Sequence, residues 1–241
     1  MEGEYAVEKY KVRGRDLMAR RGNVTKILLA FLFCVLLSVI VMMSFDAVGF
    51  YFVPGRFEDA MWMLTLAASM TVYSMADVML LRYGVRTQTG ADGKKGSGLS
   101  AVVAAGIGFL TEVMLLAFLY AYVEVFSRYV SRVLGLAVNG LCTLLTVFLV
   151  GIAVFYIGTG LFFLPAVAEK EKSGVLKLLF ASQRAAKGKR MTIVRFVLGF
   201  VPLFALSLLS LGVLFFIYVL PLYIMSYGAF ASEVLDNNKE I

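Results

Sequence analysis

The chain reads as an all-α, polytopic membrane helical bundle of about six transmembrane helices with amphipathic surface helices. Three observations predict it. Hydrophobic residues make up 61% of the 241 positions and charged residues only 16%, whereas a soluble domain is nearer half apolar and a quarter charged. Apolar runs of roughly twenty residues, the length that crosses a bilayer, recur along the chain. Lys and Arg cluster between those runs, as insertion rules require. No stretch is long enough for a separate soluble domain.

Residues 1–26 open the chain with an amphipathic helix. Val7, Tyr10, Leu17 and Met18 share one face with Gly14, and Lys9, Lys11, Arg13, Arg15, Arg20 and Arg21 cover the rest. That pattern suits a helix lying among headgroups or a solvated N-terminal helix. The opening Met-Glu-Gly-Glu is acidic, and the first apolar run lacks an Ala-x-Ala exit, so no cleavable leader is expected.

Spans are expected near 27–45, 60–81, 100–122, 134–157, 193–210 and 213–230, making residues 27–231 one transmembrane domain. Asp46 and Pro54 to Asp59 form the first outer loop. Arg82 to Leu99 is a Gly-rich inner linker carrying Lys94 and Lys95. Gly158-Thr-Gly160 loosens the fourth span before Leu161 to Ala168 follows the interface. A cytoplasmic surface helix covers 173–187. Its apolar face is Val175, Leu178, Leu179, Ala185 and Ala186, its cationic ridge Lys177 and Arg184, and Gly188 its end. Residues 193–230 fold back at Ser210-Leu-Gly212, and 232–241 form a polar cytoplasmic tail.

Charge sorts the sides. Of the 23 Lys and Arg, all but Arg56, Arg128 and Arg132 fall on one side of this six-span layout. Both termini are therefore expected in the cytoplasm of a cell-membrane protein. On that side Asn23-Val-Thr25 is not a glycosylation acceptor.

Histidine is absent and the two cysteines, Cys34 and Cys142, lie in apolar runs. This removes Ser-His-Asp and Cys-His catalysis and His-based metal sites. There is no Walker loop, dinucleotide fingerprint or nucleophile elbow. A non-enzymatic protein without cofactor, metal or nucleic-acid partner is expected. Its expected partners are the lipid bilayer, anionic phospholipid headgroups and a membrane-protein partner. Lys177, Arg184, Lys187, Lys189, Arg190, Arg20 and Arg21 are the candidate headgroup or partner contacts.

Glu112 is the sharpest polar feature, because an acid at mid-span costs about 2.5–3.5 kcal/mol on insertion scales. Ala104, Gly108 and Glu112 share a helix face, a small-residue seam toward another helix. Glu112 is either a proton or cation site, or a protonated carboxyl bonded to Asn139, Thr143 or Thr146. Asp77 lies near the inner end of the second span, where a salt bridge with Arg82 or Arg86 is its default role. Asp77 and Glu112 are expected to differ in depth by about 10 Å at 1.5 Å per residue, which argues against a two-carboxylate pair.

Ser182-Gln-Arg-Ala-Ala-Lys-Gly-Lys189, the apolar hairpin, Leu220-Pro-Leu-Tyr223, Ala229-Phe230 and the opening Arg20-Arg-Gly-Asn23 together resemble a bacterial domain-of-unknown-function family, number nine-seven-five. That family is distantly similar to membrane domains preceding some glycerophosphodiester phosphodiesterases. The resemblance implies a six-helix membrane fold and no catalytic residue. Arg21-Gly-Asn-Val-Thr-Lys-Ile27 and Lys187-Gly-Lys-Arg-Met-Thr-Ile193 also echo one another, as halves of a parallel repeat or by chance.

Overall fold

The computed structural model describes residues 2–20, 22–52, 58–90, 98–122, 136–170, 173–210 and 212–237. Every regular element there is helical. The order is α1 (Glu2–Ala19), α2 (Asn23–Phe52), α3 (Glu58–Thr89), α4 (Gly98–Ala121), α5 (Leu136–Leu161), α6 (Leu164–Lys170), α7 (Val175–Ala186), α8 (Arg190–Leu198), α9 (Val201–Leu209), a π-helical turn (Phe215–Val219) and α10 (Leu220–Asn237). Among the described residues, four helical stretches are long and apolar enough to cross a membrane: Gly98–Tyr120, Asn139–Lys170, Arg190–Leu209 and Phe215–Asp236.

Helices α3 and α10 form the centre. Helix α3 packs against α2, α4, α6 and α10, while α1 lies along α10. The crossing of α3 and α10 brings backbone to backbone. A Cβ on Gly84 would strike the Ile224 carbonyl, and one on Gly228 would strike the Gly84 carbonyl. Small residues permit this closeness, which replaces the hydrophobic drive that lipid cannot supply between helices. A ring cluster fills the space between α1, α8 and α10. Phe196 and Phe230 stack with centroids 4.6 Å apart, and Tyr10 meets Phe230 edge-on at 5.2 Å.

The apolar stripe of α1 is therefore spent on protein, neither on lipid nor on water. Val7, Tyr10 and Leu17 are buried, and Gly14 sits against Ser226 of α10. Glu233 of α10 accepts hydrogen bonds from Lys9 at 2.9 Å, Arg13 at 3.3 Å and the Tyr10 hydroxyl at 3.3 Å. Burial, then the Glu233 charge, push the Tyr10 pKa up to about 12.

Several boundaries move. Helix α2 begins at Asn23 and runs through Asp46 to Phe52, so Asp46 belongs to a helix and not to a loop. Gly158 and Gly160 do not loosen α5. It continues to Leu161 and breaks at Phe162–Phe163, because both glycines serve close packing. Helix α10 extends through Glu233 and Asp236 into the expected tail. Lys94, Lys95, Arg128 and Arg132 lie outside the described residues.

The two basic-glycine units share a geometry. Gly22 and Gly188 both take positive φ, 85° and 76°, the left-handed conformation that glycine adopts without steric cost. Each follows a short amphipathic helix and precedes a new one. Ile27 and Ile193, five residues on, are both buried.

Candidate functional site

Three helices place polar side chains in one crevice. On α3, Ser74, Asp77, Val78 and Leu81 recur at helical spacing, and on α4 so do Ala105, Phe109 and Glu112. Gly158 and Leu161 of α5, Leu164 and Pro165 of α6 and Tyr223 of α10 complete the walls, around a volume of about 220 Å³. At ~30 Å³ per water, that is room for about seven.

Glu112 reaches the crevice over a glycine. A Cβ on Gly158 would come 3.1 Å from Glu112 Oε1, and one on Gly108 would enter the Leu161 side chain. The Ala104-Gly108-Glu112 face thus meets the inner end of α5. Asn139, Thr143 and Thr146 lie far from it: nineteen residues of helix from Asn139 to Gly158 span roughly 28 Å. The Asn139 side-chain oxygen is buried without a partner, and Thr146 bonds back to the Cys142 carbonyl. Glu112 has neither the Asn139 nor the Thr143 bond.

Asp77 is not paired with Arg82 or Arg86. Both guanidiniums turn instead to Glu169 of α6, which sequence reading passed over. Arg82 donates to Glu169 at 2.8 and 3.1 Å, and Arg86 at 2.9 and 3.2 Å. The Glu169 side chain is 4% exposed. These bonds hold the Arg86 guanidinium pKa further above its ordinary value. The signal available was the i, i+4 spacing of the arginines, which aims two cations at one anion.

Asp77 and Glu112 therefore meet at one crevice despite their expected difference in depth. Asp77 is exposed and Glu112 half-buried. Neither has an ion-pair or hydrogen-bond partner among the described residues, and the same holds for the Tyr223 hydroxyl, whose ring packs against Phe196, Phe200 and Phe204. Among the described residues, no three His, Cys, Asp or Glu side chains converge as a metal site.

The cationic candidates divide. Lys177, Arg184 and Lys187 of the α7 region, and Arg20, are exposed, and Lys189 is half-buried. Arg190 is engaged internally. Its guanidinium donates at 2.7 Å to the Tyr156 carbonyl and to Thr159 Oγ1, and lies 3.3 Å from the Tyr156 ring centroid. It is a fold contact, not a free headgroup ligand. Arg21 lies outside the described residues.

The motif residues that carried the family resemblance are joints of the fold. The Ser182 hydroxyl donates to the Gly160 carbonyl, tying α7 to α5. Asn23 donates to the Leu17 carbonyl and accepts from the Tyr83 hydroxyl, each at 2.8 Å, linking α1, α2 and α3. Comparison of the chain with protein-family models, with curated proteins and with solved structures finds no match.

Proposed function

We propose that this is a non-enzymatic, multi-pass protein of the cell membrane, with six crossings and both termini in the cytoplasm, that engages anionic lipid as an accessory or regulatory subunit. One observation carries the reading. The outward face of α7 presents Leu176 and Phe180, each 68% exposed, beside exposed Lys177 and Arg184. At about 100° per residue, the apolar pair forms one strip and the cations the adjacent strip, opposite buried Leu178, Ser182 and Ala185. A helix so divided dips its apolar strip to the acyl boundary and holds its cations at the phosphates, each worth about 1 kcal/mol near an anionic surface. The one-sided distribution of Lys and Arg along the sequence supports the six-crossing layout.

The test is native mass spectrometry of the detergent-solubilised protein. The unsubstituted chain should retain phosphatidylglycerol, and Lys177→Gln with Arg184→Gln should lose most of it while neutral lipid is unchanged. An unaltered lipid complement overturns the reading. Labelling of Lys177→Cys from outside intact cells would overturn the orientation.

A second reading is a small transporter that uses the Glu112 carboxyl. The unpaired Asp77 and Glu112 at one crevice favour it. Unchanged proton-coupled uptake in Glu112→Gln cells would remove it.

A further inference from the structure

We infer that the crevice between α3, α4, α5 and α10 is a binding site for a small organic ammonium, a protonated amine with an apolar body. The inference rests on the second reading's premise that solute enters the crevice, and needs no turnover.

The chain places three carboxyls at the α3, α4 and α6 junction, and treats them differently. Glu169 is buried and receives two guanidiniums, so its charge is matched within the fold. Asp77 and Glu112 are given no cation and no hydrogen-bond donor among the described residues. Arg82 begins five residues after Asp77 on the same helix, yet it points to Glu169. A buried or membrane-level carboxyl without a partner is costly. A cation arriving from outside would remove that cost at half-buried Glu112 and pair with exposed Asp77 on the same crevice.

A second, independent feature is Tyr223. It is half-buried against the apolar core, with its ring held by three phenylalanines, and its hydroxyl has no hydrogen-bond partner among the described residues where it lines the crevice. A phenol oxygen facing a crevice is free to accept a hydrogen bond from a ligand. The ammonium has three N–H donors, enough for Asp77, Glu112 and the Tyr223 oxygen.

The walls select the class of cation. Apolar side chains, Val78, Leu81, Phe109 and Leu161 among them, supply most of the lining, and beyond Asp77, Glu112 and Tyr223 only Ser74 adds a side-chain oxygen. A hard cation such as Ca²⁺ wants six to eight oxygen ligands and Mg²⁺ an octahedron. An alkyl or aryl chain on nitrogen would instead bury against these walls, Phe109 among them. The volume of about 220 Å³ limits the ligand to a small molecule, since ordinary ligand pockets begin near 300 Å³.

Equilibrium binding of radiolabelled n-hexylamine to the full chain in lipid nanodiscs tests this, with empty nanodiscs subtracted for partition. Saturable binding is expected, competed by benzylamine and not by n-hexanol, Na⁺ or Ca²⁺. Asp77→Asn and Glu112→Gln should each weaken it at least tenfold, and Tyr223→Phe about threefold. The two carboxyl substitutions keep shape and remove charge, so their melting temperatures should match or exceed the parent's. Equal competition by n-hexanol, or binding that survives both carboxyl substitutions, overturns the proposal. Solute flux that depends on Glu112 without amine binding would overturn the ligand class and leave the transport reading standing.

Discussion

Arg82 donates to a single oxygen of Glu169 through both Nε and Nη2, at 3.1 and 2.8 Å. Its side chain is 10% exposed and that of Glu169 4%. The pair joins α3 to α6 across 87 residues of sequence. Breaking a buried pair strands the remaining charge, at about 3–5 kcal/mol. Glu169→Ala should therefore cost about 3 kcal/mol in unfolding of the purified protein. Arg86 is half-exposed, so Arg86→Ala should cost only about 1 kcal/mol. Equal losses for Glu169→Ala and Arg86→Ala would show that the buried bond is not what joins the helices.

That pair also marks where sequence reading ended. Helix types, the two faces of α7 and the positive-φ glycine that ends it were legible, because each depends on residues within a few turns. Arg82 and Arg86 were visible as cations beside a nearby acid, Asp77. Their partner lies on another helix, and no local pattern sets the register of α3 against α6. Glu112 failed in the same manner. Its helix face was right, but the depth of its neighbour was not, because α5 carries its apolar run past Gly158 to Leu161. The stripe on α1 gave its composition without its target, since a ring cluster and a lipid boundary ask for the same residues. Leu176 and Phe180 were passed over because an exposed apolar pair is visible only once the buried face is known.

Gly14 of α1 faces Ser226 of α10 with no room for a methyl group. The Ser226 hydroxyl is itself buried without a hydrogen-bond partner. Gly14→Ala should overpack the contact and cost about 1–3 kcal/mol. Ser226→Ala alone should be neutral or stabilising, because it removes an unsatisfied polar atom. The double substitution should recover part of the Gly14→Ala loss. A double-mutant cycle on thermal unfolding measures the coupling, and strict additivity would count against direct contact.

The crossing of Gly84 and Gly228 should behave differently. There a new Cβ meets main-chain atoms, the Gly84 carbonyl in one direction and the Ile224 carbonyl in the other. No side-chain truncation can relieve that. Gly228→Ala should force α10 away from α3, lower the yield of folded protein and find no second-site rescue among neighbouring side chains. Recovery of folded Gly228→Ala protein by Val85→Ala would show that the clash is with a side chain after all.

Tyr10 supplies the pH test of α1 docking. It packs against Phe196 and Phe230 and donates to Glu233. Burial first, and the Glu233 carboxylate next, keep its phenol neutral, with a pKa of about 12 against 10.0 for the free group. Because the folded value is the higher one, the neutral phenol favours the folded state. Its contribution is whole below pH about 10, falls as pH rises through that value, and is gone above about 12. Ultraviolet difference titration at the phenolate band should show one tyrosine fewer ionising late in Tyr10→Phe than in the parent. Glu233→Gln removes a smaller cause of the shift and should bring the Tyr10 transition partway back toward 10. A parent and Tyr10→Phe pair with the same late-titrating amplitude would place this phenol in water and α1 off α10.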